Sequence, residues 1–377
     1  MSGMTATETQ HLVQISDRSN ESFERLAEPF RNELKLHCYR MMGSLHEAED
    51  LVQDTFVRAW RSFGSFEGRG SFRGWIYQIA TNTCLNAIAG RKSKQRFLPD
   101  KRFPATAQMP DGTPASDVEW LEPYPDSELA GIHDEALNPE ARYAARQAVQ
   151  LAFVVAIQRL PPRQRAVLLL CDVLGWGAAE VATLLGGSTA SVNSVLQRAR
   201  VTMAKSHNEG ERSIVSKPGP AQQNLLERYM KAWEELDLDK FVALLAEDAT
   251  YTMPPLSQWY AGRRSIRAFF EWAWKDYEGY RLLPTAANGQ SAFAAYSRSR
   301  AAPDEPWAAH SIHLLTLAQD GISAITLFVK PDAPRLFQAF GLPLKIADDT
   351  STCMTRPSDE QACSARLRPQ GSRGRAR

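Results

Sequence analysis

Two basic, helix-patterned stretches of this chain are held apart by an acidic segment broken with proline and glycine, and that interruption divides the chain into separate folding units. Residues 58–102 hold ten Lys and Arg against two acids. Residues 111–140 hold nine acids and no Lys or Arg, and residues 142–205 hold eight bases against two acids. The formal net charge is only +1, so the arrangement carries more information than the sum. Helical periodicity covers 22–97, an acidic linker 98–139, a second helical block 140–206 and a polar linker 207–223. Residues 224–346 change to alternating strands after two helices, and 347–377 form a polar, Arg-rich tail expected to be disordered. The expected fold class is multidomain, with two all-α units followed by an α+β unit, which suits 377 residues.

Several classes of function are set aside at once. The longest apolar runs, such as 151–157 and 166–171, are far shorter than the roughly 20 residues that cross a bilayer, so no membrane partner is expected. The first 30 residues carry acids and lack an apolar h-region, which points to a cytoplasmic protein. Five cysteines without a C-x-x-C pair argue against a zinc module or a disulfide framework, and no metal or cofactor is expected.

In the first block, Ser44 with Glu47 makes a capping box that starts a helix reaching Phe63. Ala48, Leu51, Val52, Thr55, Phe56, Ala59 and Phe63 form its apolar stripe. Asp50, Gln53, Asp54, Arg58 and Arg61 project from the other side, which alone reads as a solvated face with i, i+4 ion pairs. A basic, glycine-punctuated aromatic loop follows, Phe66-Glu67-Gly68-Arg69-Gly70-Ser71-Phe72-Arg73-Gly74-Trp75, and opens a helix over 73–90. Cations that track phosphates, interleaved with aromatics that receive unstacked bases, suit single-stranded nucleic acid. Phe72, Trp75, Ile76 and Ile79 also have helix-core spacing, which leaves Phe66 as the better base contact.

The motif Asp50-Leu51-Val52-Gln53-Asp54-Thr55-Phe56-Val57-Arg58-Ala59-Trp60, with Phe72-Arg73-Gly74-Trp75-Ile76-Tyr77-Gln78-Ile79-Ala80-Thr81-Asn82-Thr83 after it, resembles region 2 of extracytoplasmic-function (ECF) sigma factors of bacterial RNA polymerase. The resemblance implies that Asp50, Gln53 and Asp54 dock on the clamp helices of the polymerase largest subunit. It gives Phe66 and Asn82 the pocket for a flipped base of the single-stranded −10 element. Arg69, Arg73, Arg91 and Lys92 become phosphate contacts. Asn82 is chemically apt, since its amide offers donors and an acceptor to a base edge.

The second block starts a helix at Pro161-Pro162 and continues with a short helix over 178–185, a Gly186-Gly187-Ser188 turn and a helix over 189–204. That is helix-turn-helix spacing. Ser188, Thr189, Ser191, Asn193, Ser194, Gln197, Arg198 and Arg200 supply a polar, cationic face for a major groove. The segment, ending Gln197-Arg198-Ala199-Arg200, is similar to sigma region 4, which reads the duplex −35 element and meets the polymerase flap. Asn193 and Val195 stand where that family commonly has Lys or Arg, so a weaker phosphate grip is expected. Within the acidic linker, Asp117-Val118-Glu119-Trp120-Leu121-Glu122-Pro123-Tyr124-Pro125-Asp126 reads equally as a docking peptide or as a locally packed stretch.

The third unit orders its helices before its strands, an α+β cone with an aromatic mouth and an antiparallel sheet, and it resembles the SnoaL-like, nuclear transport factor 2-like fold. Together the three units are similar to ECF sigma factors of the sigma G and sigma J types. Asp248, Tyr251, Trp259, Tyr260, His310 and His313 suit a cone mouth, but no spacing fixes a carboxylate base and donor. His310 and His313 are expected on opposite faces of a strand. The expected function is promoter recognition by core RNA polymerase, tuned in cis by a non-enzymatic third unit that packs on the other two or senses a small ligand. The alternatives are a helix-turn-helix regulator acting without polymerase and a SnoaL-like enzyme fused to a DNA-binding module. The first leaves the Asp50, Gln53 and Asp54 face without a use. The sequence specifies neither an anti-sigma partner nor the promoter.

Overall fold

The structure, a computed structural model, describes residues 20–66, 71–91, 95–110, 112, 114, 118–129, 148–208 and 219–348. Arg69, Lys92, the tail beyond 348, residues 209–218 of the second linker and the join between the acidic linker and the second block lie outside the described residues.

The first block folds as α1 (Asn20–Ala27), α2 (Arg31–Met42), α3 (Leu45–Phe63) and α4 (Phe72–Ala89). Helix α3 starts where its sequence dictates, but only half of the expected capping box forms: the Ser44 side chain accepts from the Glu47 amide and the apolar stripe is buried, while the Glu47 carboxylate pairs with Arg91 and Arg96 instead of the N-cap backbone. Gly43, at φ 73°, turns α2 into α3, and a Cβ there would meet Leu121 Cδ2 at 2.7 Å. The second block comprises α5 (Leu151–Gln158), α6 (Pro162–Leu168), a π-helical turn over Leu169–Val173, α7 (Ala178–Leu185) and α8 (Thr189–Asn208). Gly186, at φ 64°, closes α7 before the turn to α8.

The two blocks pack against each other, α4 on α7 and α2 on α5 and α6. Arg165 clasps them. It is buried, and its guanidinium donates to the carbonyls of Met41, Ile157, Gln158 and Leu160 and to Gln158 Oε1. Burial pushes its pKa down to about 9.

The third unit places α9 (Pro220–Glu234), α10 (Leu238–Ala243) and α11 (Gly262–Ala273) on the concave side of a seven-stranded sheet, with α12 (Ala333–Ala339) packed on β5. Strands β1 (Leu245–Thr252), β2 (Trp259–Ala261), β3 (Tyr277–Ala287), β4 (Gln290–Ser299), β5 (Trp307–Ala318) and β6 (Gly321–Phe328) run in the order β2-β1-β6-β5-β4-β3, and β7 (Lys345–Ile346) pairs with β5. The expected antiparallel pairing holds except between β1 and β6, which are parallel. Both sheet faces are apolar. The concave face buries Phe293, Leu315, Ile325 and Leu327 with the helices. The other face contributes Leu283, Tyr296, Ile312 and Leu314 to a core that continues into both helical blocks.

One expectation fails for a local reason. Ala295 pairs with Ser311 and Tyr296 with Ala309, so His310 is the extra residue of a β-bulge. The bulge resets the alternation and brings His310, Ser311 and His313 to one face, where Ser311 Oγ lies 2.8 Å from His310 Nδ1 and 2.8 Å from His313 Nε2.

Candidate nucleic-acid and polymerase interfaces

Helix α3 carries Asp50, Gln53 and Asp54 exposed in one row, and Arg58 answers Asp54 at 3.2 Å. Beside them Val57 and Trp60 are 46% and 39% exposed, an apolar margin on a polar face. Glu122 of the linker sits on the N-terminus of α3. Glu122 Oε2 accepts from Leu45 N at 2.7 Å, His46 N at 3.2 Å, Ser44 Oγ at 2.9 Å and, with the ring protonated there, His46 Nδ1 at 3.0 Å. Burial works to raise the Glu122 pKa, but the hydrogen bonds and charge of His46, with Arg96, hold it below the usual carboxylate range. A depressed folded-state pKa stabilises above the unfolded value and is lost as pH falls through the folded one. The stability gap between the native chain and Glu122→Gln, measured by thermal unfolding, should therefore close as pH drops below about 4.

Phe66 does not stand free on its loop. It is buried against Trp75, with ring centroids 4.8 Å apart, and Phe72, at 5.9 Å. Beside this cluster lies a cavity of about 480 Å³, with Phe66, Trp75 and Gln78 on one wall and Trp176, Thr183 and Leu184 of the second block on the other. Gln78 Nε2 donates to the Leu184 carbonyl at 3.1 Å across it. Asn82 is exposed and lies seven residues beyond Trp75 on α4, on the same helix side.

Two of the cations expected to contact phosphate, Arg73 and Arg91, are engaged by acids. Arg73 donates to Glu33 Oε2 at 3.0 and 3.2 Å and stacks between Tyr77 and Trp176, at 5.2 and 5.8 Å. Arg91 pairs with Glu47 and, at 3.3 Å, with Glu119, while Arg96 donates to the Trp120 carbonyl. In this conformation a phosphate reaches Arg73 or Arg91 only by displacing a carboxylate. Sequence reading missed this because a count of bases does not reveal their long-range acidic partners.

The second block presents its predicted face outward. Ser188, Thr189, Ser191, Asn193, Ser194, Gln197, Arg198 and Arg200 are all exposed. Ser188 Oγ caps α8 by accepting from Ser191 N, Arg198 bonds Ser194 Oγ at 2.8 Å, and Arg200 makes a two-point pair with Asp172 at 2.6 and 3.0 Å.

The linker peptide is docked. Trp120, Leu121 and Tyr124 are buried, and Leu121 N bonds the Phe97 carbonyl. Asn288, at φ 55° in the β3–β4 turn, joins all three units. Its amide exchanges bonds with Tyr124 (N to Asn288 Oδ1, 2.9 Å; Asn288 N to the carbonyl, 2.9 Å). Its Nδ2 donates to Tyr39 Oη at 2.9 Å and to the Val149 carbonyl at 2.7 Å.

At the cone, Tyr251 and His310 line a cavity, His313 is buried behind them, and Asp248 is exposed outside it. Trp259 and Tyr260 instead hold the linker: Trp259 Nε1 donates to the Phe103 carbonyl at 2.8 Å and Tyr260 Oη to the Gln108 carbonyl at 2.8 Å. Among the described residues no cluster of three His, Cys, Asp or Glu is placed to hold a metal, and no helix is long and apolar enough to cross a membrane.

A helical block with an aromatic cavity on its fourth helix, followed by a helix-turn-helix block, has the architecture of the sigma-70 class, here extended by a cone domain. The profile of Sigma-70 region 2 matches residues 26–94, that of Sigma-70 region 4 matches 150–203, and that of a SnoaL-like domain matches 226–325. The ECF RNA polymerase sigma factor SigG of Mycobacterium tuberculosis is 40% identical over 336 residues, spanning 87% of this chain and 86% of that protein. The crystal structure of the Mycobacterium tuberculosis sigma factor SigJ superimposes with a TM-score of 0.53 over 87% of this chain and 100% of that one, at 22% identity, a likeness of fold. The chain belongs to the ECF RNA polymerase sigma factors.

Proposed function

We propose that this sigma factor mounts on core polymerase through Asp50, Gln53 and Asp54 of α3, captures a −10 base with Phe66 and Asn82, and reads the −35 element with α8. In the free chain it is shut. The observation that carries this reading is the second wall of the Phe66–Trp75 cavity, built by Trp176, Thr183 and Leu184 of the helix-turn-helix block itself. Elements 25 base pairs apart lie about 85 Å apart at 3.4 Å per step, which two blocks sharing one core cannot bridge. The blocks must separate to bind a promoter, and the exposed α3 face is where polymerase starts the separation. Release also frees Arg73 from Trp176, so the cations become available as the pocket opens; Arg69, Arg91 and Lys92 would then complete the phosphate track.

The third domain acts as the clamp in cis, through Asn288 and the docked linker peptide. It has no catalytic part in this reading: the acids that line its cavity among the described residues, Asp276 and Glu305, are both exposed at the rim, so no described carboxylate stands inside as a base. The activity belongs to the cytoplasm, with core polymerase and promoter DNA as partners.

Asp54→Lys is expected to weaken core polymerase binding about tenfold in fluorescence anisotropy, by placing a cation where an acid docks. Asn82→Ala should leave that binding within about twofold and lower promoter opening about tenfold, read with a fluorescent base at −10. Equal loss of both would contradict the assignment of Asn82.

A further inference from the structure

A cavity of about 260 Å³ lies between the docked linker peptide and the outer side of the third unit. It shares no residue with the cavity of the cone. Trp120 and Arg96 stand on one wall, and Pro255, Phe328 and Leu336 stand on the other with Asp332 beside them. Phe328 and Leu336 belong to the core that joins the outer sheet face to the helical blocks, so the cavity sits where the first block, the linker and the third unit meet.

Its polar groups are left over from the packing around it. Arg96 is pinned at both Nη atoms: Nη1 donates to the Trp120 carbonyl at 2.7 Å, and Nη2 meets Glu47 at 3.0 Å. Arg96 Nε remains buried with no hydrogen-bond partner among the described residues, and so does Trp120 Nε1. Both are N–H donors and neither can accept. On the opposite wall the half-buried Asp332 carboxylate makes no hydrogen bond among the described residues. Burial, and then the Glu122 carboxylate, push the Asp332 pKa up, so its charged form is short of donors. Unpartnered buried donors are exceptions in a folded chain, and here they share one cavity with an unanswered acceptor.

These groups define what fills the space. Two donors call for an acceptor oxygen, and Asp332 calls for an N–H. Charge of either sign on a ligand is disfavoured, because Arg96 lines the cavity together with Glu119, Glu122 and Asp332. The apolar wall of Pro255, Phe328 and Leu336 suits a flat ring.

We propose that this cavity binds a small aromatic primary carboxamide, whose carbonyl oxygen accepts from Trp120 Nε1 and Arg96 Nε and whose amide N–H donates to Asp332. The occupant is gripped by the linker peptide and the third unit at once, so it must leave before the peptide can. Because the linker joins the −10 and −35 readers, occupancy holds the chain shut. Only that last step rests on the clamp reading above; binding is measured on the free chain, so its failure leaves promoter recognition untouched.

The probe is benzamide, titrated into the full chain isotope-labelled at its tryptophans. Trp120→Phe identifies the Trp120 indole resonance by its disappearance. That resonance is expected to move downfield as the indole gains an acceptor, saturably and with Kd about 1 mM. Acetophenone, a ketone without the N–H, should bind about tenfold more weakly, and benzoate should not compete. Asp332→Ala, at a half-exposed position, should lower benzamide affinity about tenfold and leave acetophenone unchanged. Leu336→Trp, which fills the cavity, should abolish the shift, and thermal unfolding identifies the variants that remain folded. At benzamide about ten times Kd, exchange of the Leu121 and Glu122 amides, which bond the Phe97 and Gly43 carbonyls, should slow about tenfold. A Trp120 resonance that stays in place shows water alone in the cavity and overturns the site, as does a saturable shift in a folded Leu336→Trp chain. Equal affinity for benzamide and acetophenone, or unchanged benzamide affinity in Asp332→Ala, overturns the amide contact. Unchanged exchange of the two amides overturns the hold on the linker.

Discussion

Asn288→Ala is expected to raise promoter-specific run-off transcription by the full chain about tenfold and to lower its unfolding midpoint by several degrees. Four hydrogen bonds meet at this residue, and they reach the first block at Tyr39, the linker at Tyr124 and the approach to the second block at Val149. Each buried bond contributes about 1 kcal/mol net, and the partners left behind are also buried. Alanine further lacks the ease with which asparagine adopts the positive φ of 55° in this turn. A loss of about 3 kcal/mol shifts a closed–open equilibrium by roughly a hundredfold, of which transcription reads the part that opening limits. Unchanged transcription beside a lowered midpoint would make Asn288 a structural tie only.

Arg165→Ala is expected to cost more, about 4 kcal/mol, and to bring the midpoint down by about 10 °C. The change takes a donor from four main-chain carbonyls in a dry interior, of which that of Ile157 keeps its bond from Leu160 N, and empties the space of a guanidinium. Arg165→Lys should rescue little, since one ammonium cannot reach carbonyls arranged for a planar fork. A midpoint within about 2 °C of the native chain would show that water replaces these bonds.

The helices were legible because their signals are local. The Ser44 side chain caps α3, glycine at 186 closes α7, and the polar face of α8 is read directly from its spacing. What stayed hidden depends on distant partners. Nothing near Arg73 or Arg91 announces Glu33, Glu47 or Glu119 as their partners, and Tyr39 meets Asn288 across 249 positions. Trp120 and Tyr124 announced an anchor, and only the fold supplied the groove that receives it. The bulge at His310 was invisible to strict alternation because one extra residue reverses every later side chain. The placement of Phe66 against Trp75 combines both readings of the aromatic loop, since a ring packed at the edge of a cavity is core and wall together.

The sheet of the cone, greasy on both sides, has a consequence for how the molecule can be taken apart. Its outer flank is wetted as soon as the helical blocks leave, so unclamping is never free, and any machinery that pries the chain apart gains by offering that flank a new dry neighbour.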